Sequence, residues 1–311
     1  MKTAVFIDGR EGTTGLQIYE RLASRPDIEL LQIDEEKRKD PAERKKFLNA
    51  AEIAFLCLPD EAAKESVSLI DNPKTRVIDC STAHRVAADW QYGFPELSKL
   101  HRALIAEGKR VSNPGCHATG FISIVFPLVS LNVIGRDQLV SCFSLTGYSG
   151  GGKKMIAQYE DGGRDEAFSA PRIYGLGLNH KHLPEMQMRG GLSQTPVFTP
   201  IVDDYYKGMA TTVPLHSPLI GGRSAKDVWE ALRFYYEGQK LVTVAPFGWE
   251  EPMIAANRMA GKDSLQLIVC GNNEQTIVTA LFDNLGKGAS GAAIQNMNLM
   301  LGCPEETGLV L

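Results

Sequence analysis

No apolar run in this 311-residue chain reaches the ~18 residues that a membrane span requires, and no internal repeat or low-complexity tract interrupts it. Met1-Lys2-Thr3 leads directly into a strand-like run, so a secretory leader is not expected. The six cysteines (57, 80, 116, 142, 270 and 303) are scattered, with neither a CxxC pair nor a zinc-type spacing. That pattern fits a reducing compartment better than a disulfide framework. Charge of one sign is also scarce. The formal net charge is −4 and the pI about 5.9. The one basic run, Lys37 to Lys46, carries acids as well, so neither a nucleic acid nor a membrane is an expected partner. What remains is a soluble, cytoplasmic, globular chain, 43% hydrophobic and 23% charged, long enough for two domains.

Against that background one stretch stands out, Ser112-Asn113-Pro114-Gly115-Cys116-His117-Ala118-Thr119-Gly120. Asn-Pro-Gly is a turn that cannot continue a strand, and residues 118–130 have the apolar periodicity of a helix. Cys116 is therefore expected at a helix N-terminus. Unsatisfied N–H groups and the positive end of the helix dipole favour a thiolate there, with a pKa below the usual ~8.5. A thiolate is a nucleophile, and the same N–H groups can receive an oxyanion. The alternative is a small apolar residue that opens a buried helix.

The N-terminal part alternates strands with helices. Strands are expected at 3–7, 28–33, 53–58 and 77–79, which predicts a Rossmann-like α/β fold with a doubly wound parallel sheet. Between the first strand and its helix, Gly9, Gly12 and Gly15 form a GxxGxxG turn that lets a pyrophosphate approach backbone and helix N-terminus, with Thr13 and Thr14 beside it. After the second strand the signals conflict: Asp34 suits the ribose hydroxyl of NAD, whereas Lys37, Arg38 or Lys39 suits the 2′-phosphate of NADP. Past the fourth strand, the Ser81 loop and Arg85 fall where such folds line a ligand crevice, and a guanidinium there can hold a phosphate or carboxylate.

From Leu139 the strands lengthen and alternate faces, at 139–146, 197–201, 208–215, 265–270 and 276–282, with a helix at 226–236. This predicts a second α+β domain with a mostly antiparallel sheet. Its Gly147–Gly152 loop, followed by Lys153 and Lys154, can present N–H groups to an anion. Its His180-Lys181-His182 segment can supply a base for the thiol. A His-x-His pair without a third ligand of recognisable spacing does not predict a metal site.

These residues resemble the short form of the N-acetyl-gamma-glutamyl-phosphate reductases, within the wider aspartate-semialdehyde dehydrogenase group. The resemblance spans essentially the whole chain. Its carriers are the GxxGxxG turn, Asp79-x-Ser81-x-x-x-Arg85, Tyr92-Gly93-Phe94-Pro95-Glu96-Leu97, the turn ending at Cys116, His180-Lys181-His182-Leu183-Pro184-Glu185, and the run from Asp283 to Asn296 that contains Lys287-Gly288-Ala289. It implies an NADPH-dependent acyl-phosphate reductase of arginine biosynthesis that works through a thioester on Cys116. By the same resemblance His180 is the acid/base and His182 second to it. Arg85 and Asn113 hold phosphate, and Glu185 with Ser149, Gly150 and the loop to Lys154 orients the acetylglutamyl end. Gly9, Gly12, Thr13, Thr14, Gly15, Arg38, Ser81 and Asn284 then meet NADP, and the chain forms a homodimer or homotetramer. Two departures from the long form stand out, Arg10 and Glu11 in the turn and a shorter segment around the second strand. The expected domains are 1–115, completed by 284–311, and 116–283. Rivals are an aspartate-semialdehyde dehydrogenase, a lysine-pathway analogue acting on a carrier protein, and a non-catalytic dinucleotide sensor that would not need Cys116.

Overall fold

The structure, a computed structural model, describes residues 2–311 and divides into two compact units. The first contains β1 (Thr3–Asp8), α1 (Thr13–Ala23), β2 (Ile28–Leu31), α2 (Pro41–Ala50), β3 (Ile53–Leu56), α3 (Asp60–Ser68), β4 (Arg76–Asp79), β5 (Gln91–Tyr92), α4 (Lys99–Glu107) and β6 (Arg110–Ser112). The second contains α5 (Cys116–Ser130), β7 (Ser141–Gly147), α6 (Gly152–Glu160), β8 (Arg172–Ile173), α7 (Leu183–Gly190), β9 (Val197–Asp203), β10 (Met209–His216), α8 (Ala225–Tyr235), β11 (Val242–Val244), β12 (Leu265–Gly271) and β13 (Gln275–Phe282). A π-helical turn (Gly286–Ser290) then leads into α9 (Gly291–Met300), which belongs to the first unit.

The first sheet has the order β2-β1-β3-β4-β6-β5 with every pairing parallel. Alternation decides its faces. Val5, Ile7, Ile53, Phe55 and Ile78 join Ile18 of α1, Ile105 of α4 and Ile294 and Met297 of α9 in one core. Phe6, Ala54, Leu56 and Val77 join Leu48 of α2 and Ala63 of α3 in the other. Strands covered on both faces read as continuous apolar runs, which is why Ile53-Ala-Phe-Leu56 is wholly buried. The chain order reverses at β1 and β3, so the residues just past their carboxyl ends, Gly9 and Cys57, stand at the switch point of the sheet.

The second sheet, β11-β12-β13-β10-β7-β9-β8, is mixed but mostly antiparallel, with parallel pairings only at β11-β12 and β7-β9. Helix α5 crosses β10 and β13. The crossing is close because Gly120 has no side chain: a Cβ there would lie 2.4 Å from Thr211 Oγ1 and 2.6 Å from Thr211 Cβ.

Several expected boundaries move. The helix after Pro114 begins at Cys116 rather than at residue 118. The 147–152 loop is a 3-10 turn, Tyr148–Gly151, that runs into α6. The unit boundaries fall at Pro114 and Ala289, so Gly115, residues 284–288 and Val310–Leu311 lie with the second unit. Asp283 explains the later shift, since its Oδ1 accepts from the N–H groups of Leu285 and Gly286 and so folds the chain back before it departs. Val310 N–H is likewise tied to Asp263 Oδ2 at 2.9 Å. Of the aromatics on α8, Phe234 is 68% exposed.

Replacing Gly120 by valine forces three carbons into a contact already closed by Thr211, and overpacking of this kind costs about 1–3 kcal/mol. The Gly120→Val protein is expected to unfold at lower urea than the parent; an unchanged midpoint would contradict the packing described for α5.

Candidate active site

Cys116 is the first residue of α5 and is half-buried. The N-cap is Gly115, which provides no side-chain cap, and the first turn carries no acid. The N-terminal N–H groups of a helix without such a cap retain their capacity for an anion. Two contacts hold the cysteine in place. Gly115 N–H donates to Glu185 Oε1 at 2.9 Å, a buried carboxylate from α7. A Cβ on Gly288, in the π-helical turn, would lie 3.1 Å from the Cys116 Cβ, closer than an ordinary van der Waals contact.

Around the cysteine the second unit gathers three histidines and a tyrosine. His117 is buried, with Nδ1 2.8 Å from Ser144 Oγ and Nε2 2.7 Å from the Tyr174 hydroxyl. Ser144 Oγ in turn meets Thr211 Oγ1 at 2.7 Å, so the chain Thr211-Ser144-His117-Tyr174 is continuous. Burial, followed by the neighbouring His180, pushes the His117 pKa down to about 3. His117 is therefore neutral at working pH and cannot serve as a base there. Burial, and then the charge of Cys116, raises the pKa of Tyr174, which keeps that hydroxyl a donor near the thiol.

His180 is half-buried and packs edge-on against His117 and His182, with ring centroids 5.7 and 4.8 Å away. Its Nδ1 accepts from the His182 backbone N–H at 3.2 Å. That bond assigns the proton of the neutral ring to Nε2. His182 is buried beside it. The anticipated pair thus stands with Cys116 and His117 in one unit. The sequence reading missed Tyr174 and Ser144, and neither carries a local signal, because only the fold brings them to His117.

The remaining candidates are spread over both units. Arg85 is buried, with Nε donating to Asn113 O at 3.0 Å and an Nη to Cys80 O at 3.1 Å. The Asn113 side chain donates to Ala289 O at 3.0 Å and accepts from Asn296 Nδ2 at 3.1 Å. Both residues thus brace the strand end that leads to Cys116. Ser81 donates its hydroxyl to Asp79 Oδ2 at 2.7 Å, and the same oxygen lies 2.6 Å from His84 Nδ1. In the second unit Asn284 joins Ser149 Oγ (2.9 Å) to the Gly208 N–H (2.9 Å), and a Cβ on Gly150 would lie 3.5 Å from the same amide nitrogen.

The glycine turn fits a dinucleotide. Gly9, at φ +86°, leaves no room for a Cβ, which would sit 2.4 Å from Cys57 O, and a Cβ on Gly15 would sit 2.5 Å from Gly9 O. Gly12 is the open member, with its closest contact at 3.4 Å. It caps α1 without a side chain, and the first turn holds Thr13 and Thr14 and no acid. That is a cradle for a pyrophosphate. Arg38 is 43% exposed beside Glu35, 3.6 Å away, and Asp34 caps a 3-10 turn through the Glu36 N–H.

Comparison with known proteins identifies the family. Residues 33–105 match a family model described as the NAD binding domain of semialdehyde dehydrogenases, and residues 116–284 match the dimerisation domain of the same group. An N-acetyl-gamma-glutamyl-phosphate reductase from Brucella ovis is 49% identical over 311 residues, covering 97% of this chain and 100% of that protein. The chain belongs to the N-acetyl-gamma-glutamyl-phosphate reductase family. A second reductase of that name, from Sinorhizobium fredii, is 47% identical over 306 residues, covering 97% of this chain and 99% of its own. The fold is shared more widely: the aspartate semialdehyde dehydrogenase from Candida albicans, solved with NADP, superposes with a TM-score of 0.67 at 15% identity, over 97% of this chain and 99% of that one. This reductase family member has no helix, among the described residues, long and apolar enough to cross a membrane.

The His117 geometry sets a pH dependence. In the unfolded chain a histidine titrates near ~6.5, and in the folded chain this one titrates near about 3. Between those values the unfolded state binds the extra proton, so the stability His117 contributes is complete above pH ~6.5 and is lost as pH falls towards 3. Its ring resonances should keep their neutral positions down to pH ~4, and a midpoint above ~5 would contradict the buried, doubly partnered ring.

Proposed function

We propose that the chain reduces N-acetyl-gamma-glutamyl phosphate to N-acetyl-glutamate 5-semialdehyde and inorganic phosphate, with NADPH as reductant, in arginine biosynthesis. The observation that carries this reading is Cys116 at the uncapped start of α5, next to His117, whose ring packs against that of His180, and within electrostatic reach of the Tyr174 hydroxyl.

The chemistry follows from the residues. The Cys116 thiolate, favoured by the helix N-terminus, attacks the acyl carbonyl carbon, and the N–H groups of the first turn receive the oxyanion. The carbon–oxygen bond to phosphate then breaks, phosphate leaves and a thioester remains on Cys116. The chemistry that a bound nicotinamide supplies is a hydride to the thioester carbon. His180, whose Nδ1 is filled by the His182 N–H, presents Nε2–H and gives its proton to the oxygen that develops charge. Collapse then frees the semialdehyde and returns the thiolate. His182 supports the tautomer of its neighbour. Glu185, tied to the Gly115 N–H through Oε1, positions the cysteine and also orients the acetylglutamyl end.

Gly9, Gly12, Thr13, Thr14 and Gly15 hold the pyrophosphate, and Arg38, exposed past β2, meets the 2′-phosphate that makes the cofactor NADP. Arg85 and Asn113 hold the phosphate of the substrate, and Ser81 meets the cofactor. Ser149, Gly150 and Asn284 form a connected unit at the start of α6, where the exposed Lys153 and Lys154 suit the carboxylate of the acetylglutamyl group. The outer face of the second sheet exposes Phe143 and Ile277, with Met253 beside them in a depression that Trp249 also lines. A second copy of this chain covers it, in keeping with the dimerisation domain that the family model describes. The enzyme works in the cytoplasm.

Phosphate-dependent reduction of NADP, with N-acetyl-glutamate semialdehyde and aspartate semialdehyde offered side by side, tests the assignment. Turnover of the acetylated substrate is expected, along with a loss of at least ~10⁴-fold in Cys116→Ser, the order seen when a covalent nucleophile is removed. Turnover of aspartate semialdehyde alone would move the protein to the other branch of the group, and NADPH binding with neither substrate turned over would favour the sensor.

A further inference from the structure

Parallel neighbours Leu56 and Asp79 pair in register, and Cys80 N–H bonds to Leu56 O at 2.9 Å. The next residues along the two strands, Cys57 and Cys80, therefore stand side by side, one strand spacing of ~4.8 Å apart. Alternation places both side chains on one face. Ile53, Phe55 and Ile78 point into the core beneath α1 and α9, and Cys57 and Cys80, in phase with them, pack against that same core. Both residues are half-buried, so a small reagent can reach them, and neither is in a disulfide. A Cα separation near ~4.8 Å lies within the ~4.4–6.8 Å range that a disulfide spans.

We propose that Cys57 and Cys80 form a reversible dithiol–disulfide pair at the switch point of the parallel sheet, whose oxidation by a peroxide weakens nucleotide binding. The binding consequence rests on the cofactor reading given above; the disulfide does not. Geometry supplies the coupling. The Cys57 carbonyl oxygen lies 2.4 Å from where a Cβ of Gly9 would be, the Cys57 N–H is bonded to Asp8 O at 2.8 Å, and Cys80 precedes Ser81. A bond between the two sulfurs fixes the ends of β3 and β4 directly beneath the glycine turn.

The adjacent Cys80 sulfur, burial and the Asp79 and Asp8 carboxylates hold the Cys57 proton in place by raising its pKa well above the ordinary thiol range. Either sulfur of the pair can open the reaction. Starting from Cys80, the thiolate displaces hydroxide from hydrogen peroxide and becomes a sulfenic acid. The Cys57 sulfur attacks that sulfur, the S–O bond breaks and water leaves. Two thiols and one peroxide thus give one disulfide and two waters. An external dithiol reverses the reaction by exchange. Disulfides in reducing compartments are of this transient kind.

Trypsin separates the two cysteines into peptides 47–64 and 77–85. The full-length protein carrying Cys116→Ala, to silence the nucleophile, would be treated with hydrogen peroxide, alkylated and mapped without reduction. A linked peptide two hydrogens lighter than the sum of its parts, abolished in Cys80→Ala and reversed by dithiothreitol, is expected. Recovery of both peptides separately alkylated would overturn the pair. In at least one of the Cys57→Ala and Cys80→Ala variants the remaining cysteine of the pair should stop at a dimedone-reactive sulfenic acid; no adduct in either would overturn the proposed sulfenic intermediate. NADPH fluorescence titration separates the two levels. About tenfold weaker binding after oxidation, equivalent to ~1.4 kcal/mol, is expected, together with slower cross-linking in the presence of NADP. Equal affinity before and after would overturn the regulatory claim. Failure of the reduced protein to bind NADPH would instead remove the cofactor reading and leave the disulfide standing.

Discussion

The placement of one sulfur atom at the first residue of an uncapped helix governs the second unit. A helix start leaves several N–H groups without intrahelical partners, and most helices satisfy them with a side chain. Here Gly115 supplies none and the first turn contains no acid. The Gly115 N–H is taken by Glu185, and the π-helical turn at Gly288 presses its backbone against the cysteine from another side. Each constraint needs a particular residue. A side chain at Gly288 would meet the Cys116 Cβ, and one at Gly120 would lift α5 off β10. The same helix carries His117, whose two nitrogens tie it to β7 through Ser144 and to Tyr174, just past β8.

The first unit depends on a different lock. Its sheet is covered on one face by α9, which arrives from the far end of the chain. The segment Tyr92-Gly93-Phe94-Pro95-Glu96-Leu97 receives it. Asn296 donates to Gly93 O at 3.0 Å, Gln295 donates to Glu96 Oε1 at 2.8 Å, and a Cβ on Gly93 would lie 2.4 Å from Asn296 Nδ2. These amides are buried, and burying a polar group without a partner costs about 1–3 kcal/mol. The pairing is therefore obligatory, and it explains why two stretches nearly 200 residues apart both carry the resemblance to the reductase family.

The sequence disclosed most of this where physics is local. The glycine turn, the strand alternation, the break at Pro114 and the helix that follows are written in short windows, so the parallel sheet and the place of Cys116 could be read. Long-range partners could not. Tyr174 lies 57 residues from the histidine it bonds and Glu185 lies 70 from Gly115. The loop at 147–152 looked open because three glycines stand together, but the Ser149–Asn284 bond across 135 residues accompanies a compact turn there. The juxtaposition of Cys57 and Cys80 was also invisible, since 23 residues separate two cysteines that only the β3–β4 register joins.

The most direct test of the account is to trap the acyl group itself. Quenching the protein in acid after mixing with N-acetyl-gamma-glutamyl phosphate in the absence of reductant, and mapping the adduct by mass spectrometry, should place an N-acetylglutamyl thioester on Cys116, sensitive to hydroxylamine. An adduct on another residue, or no acyl-enzyme at any quench time in protein that turns over once NADPH is added, would contradict the central role assigned to that sulfur.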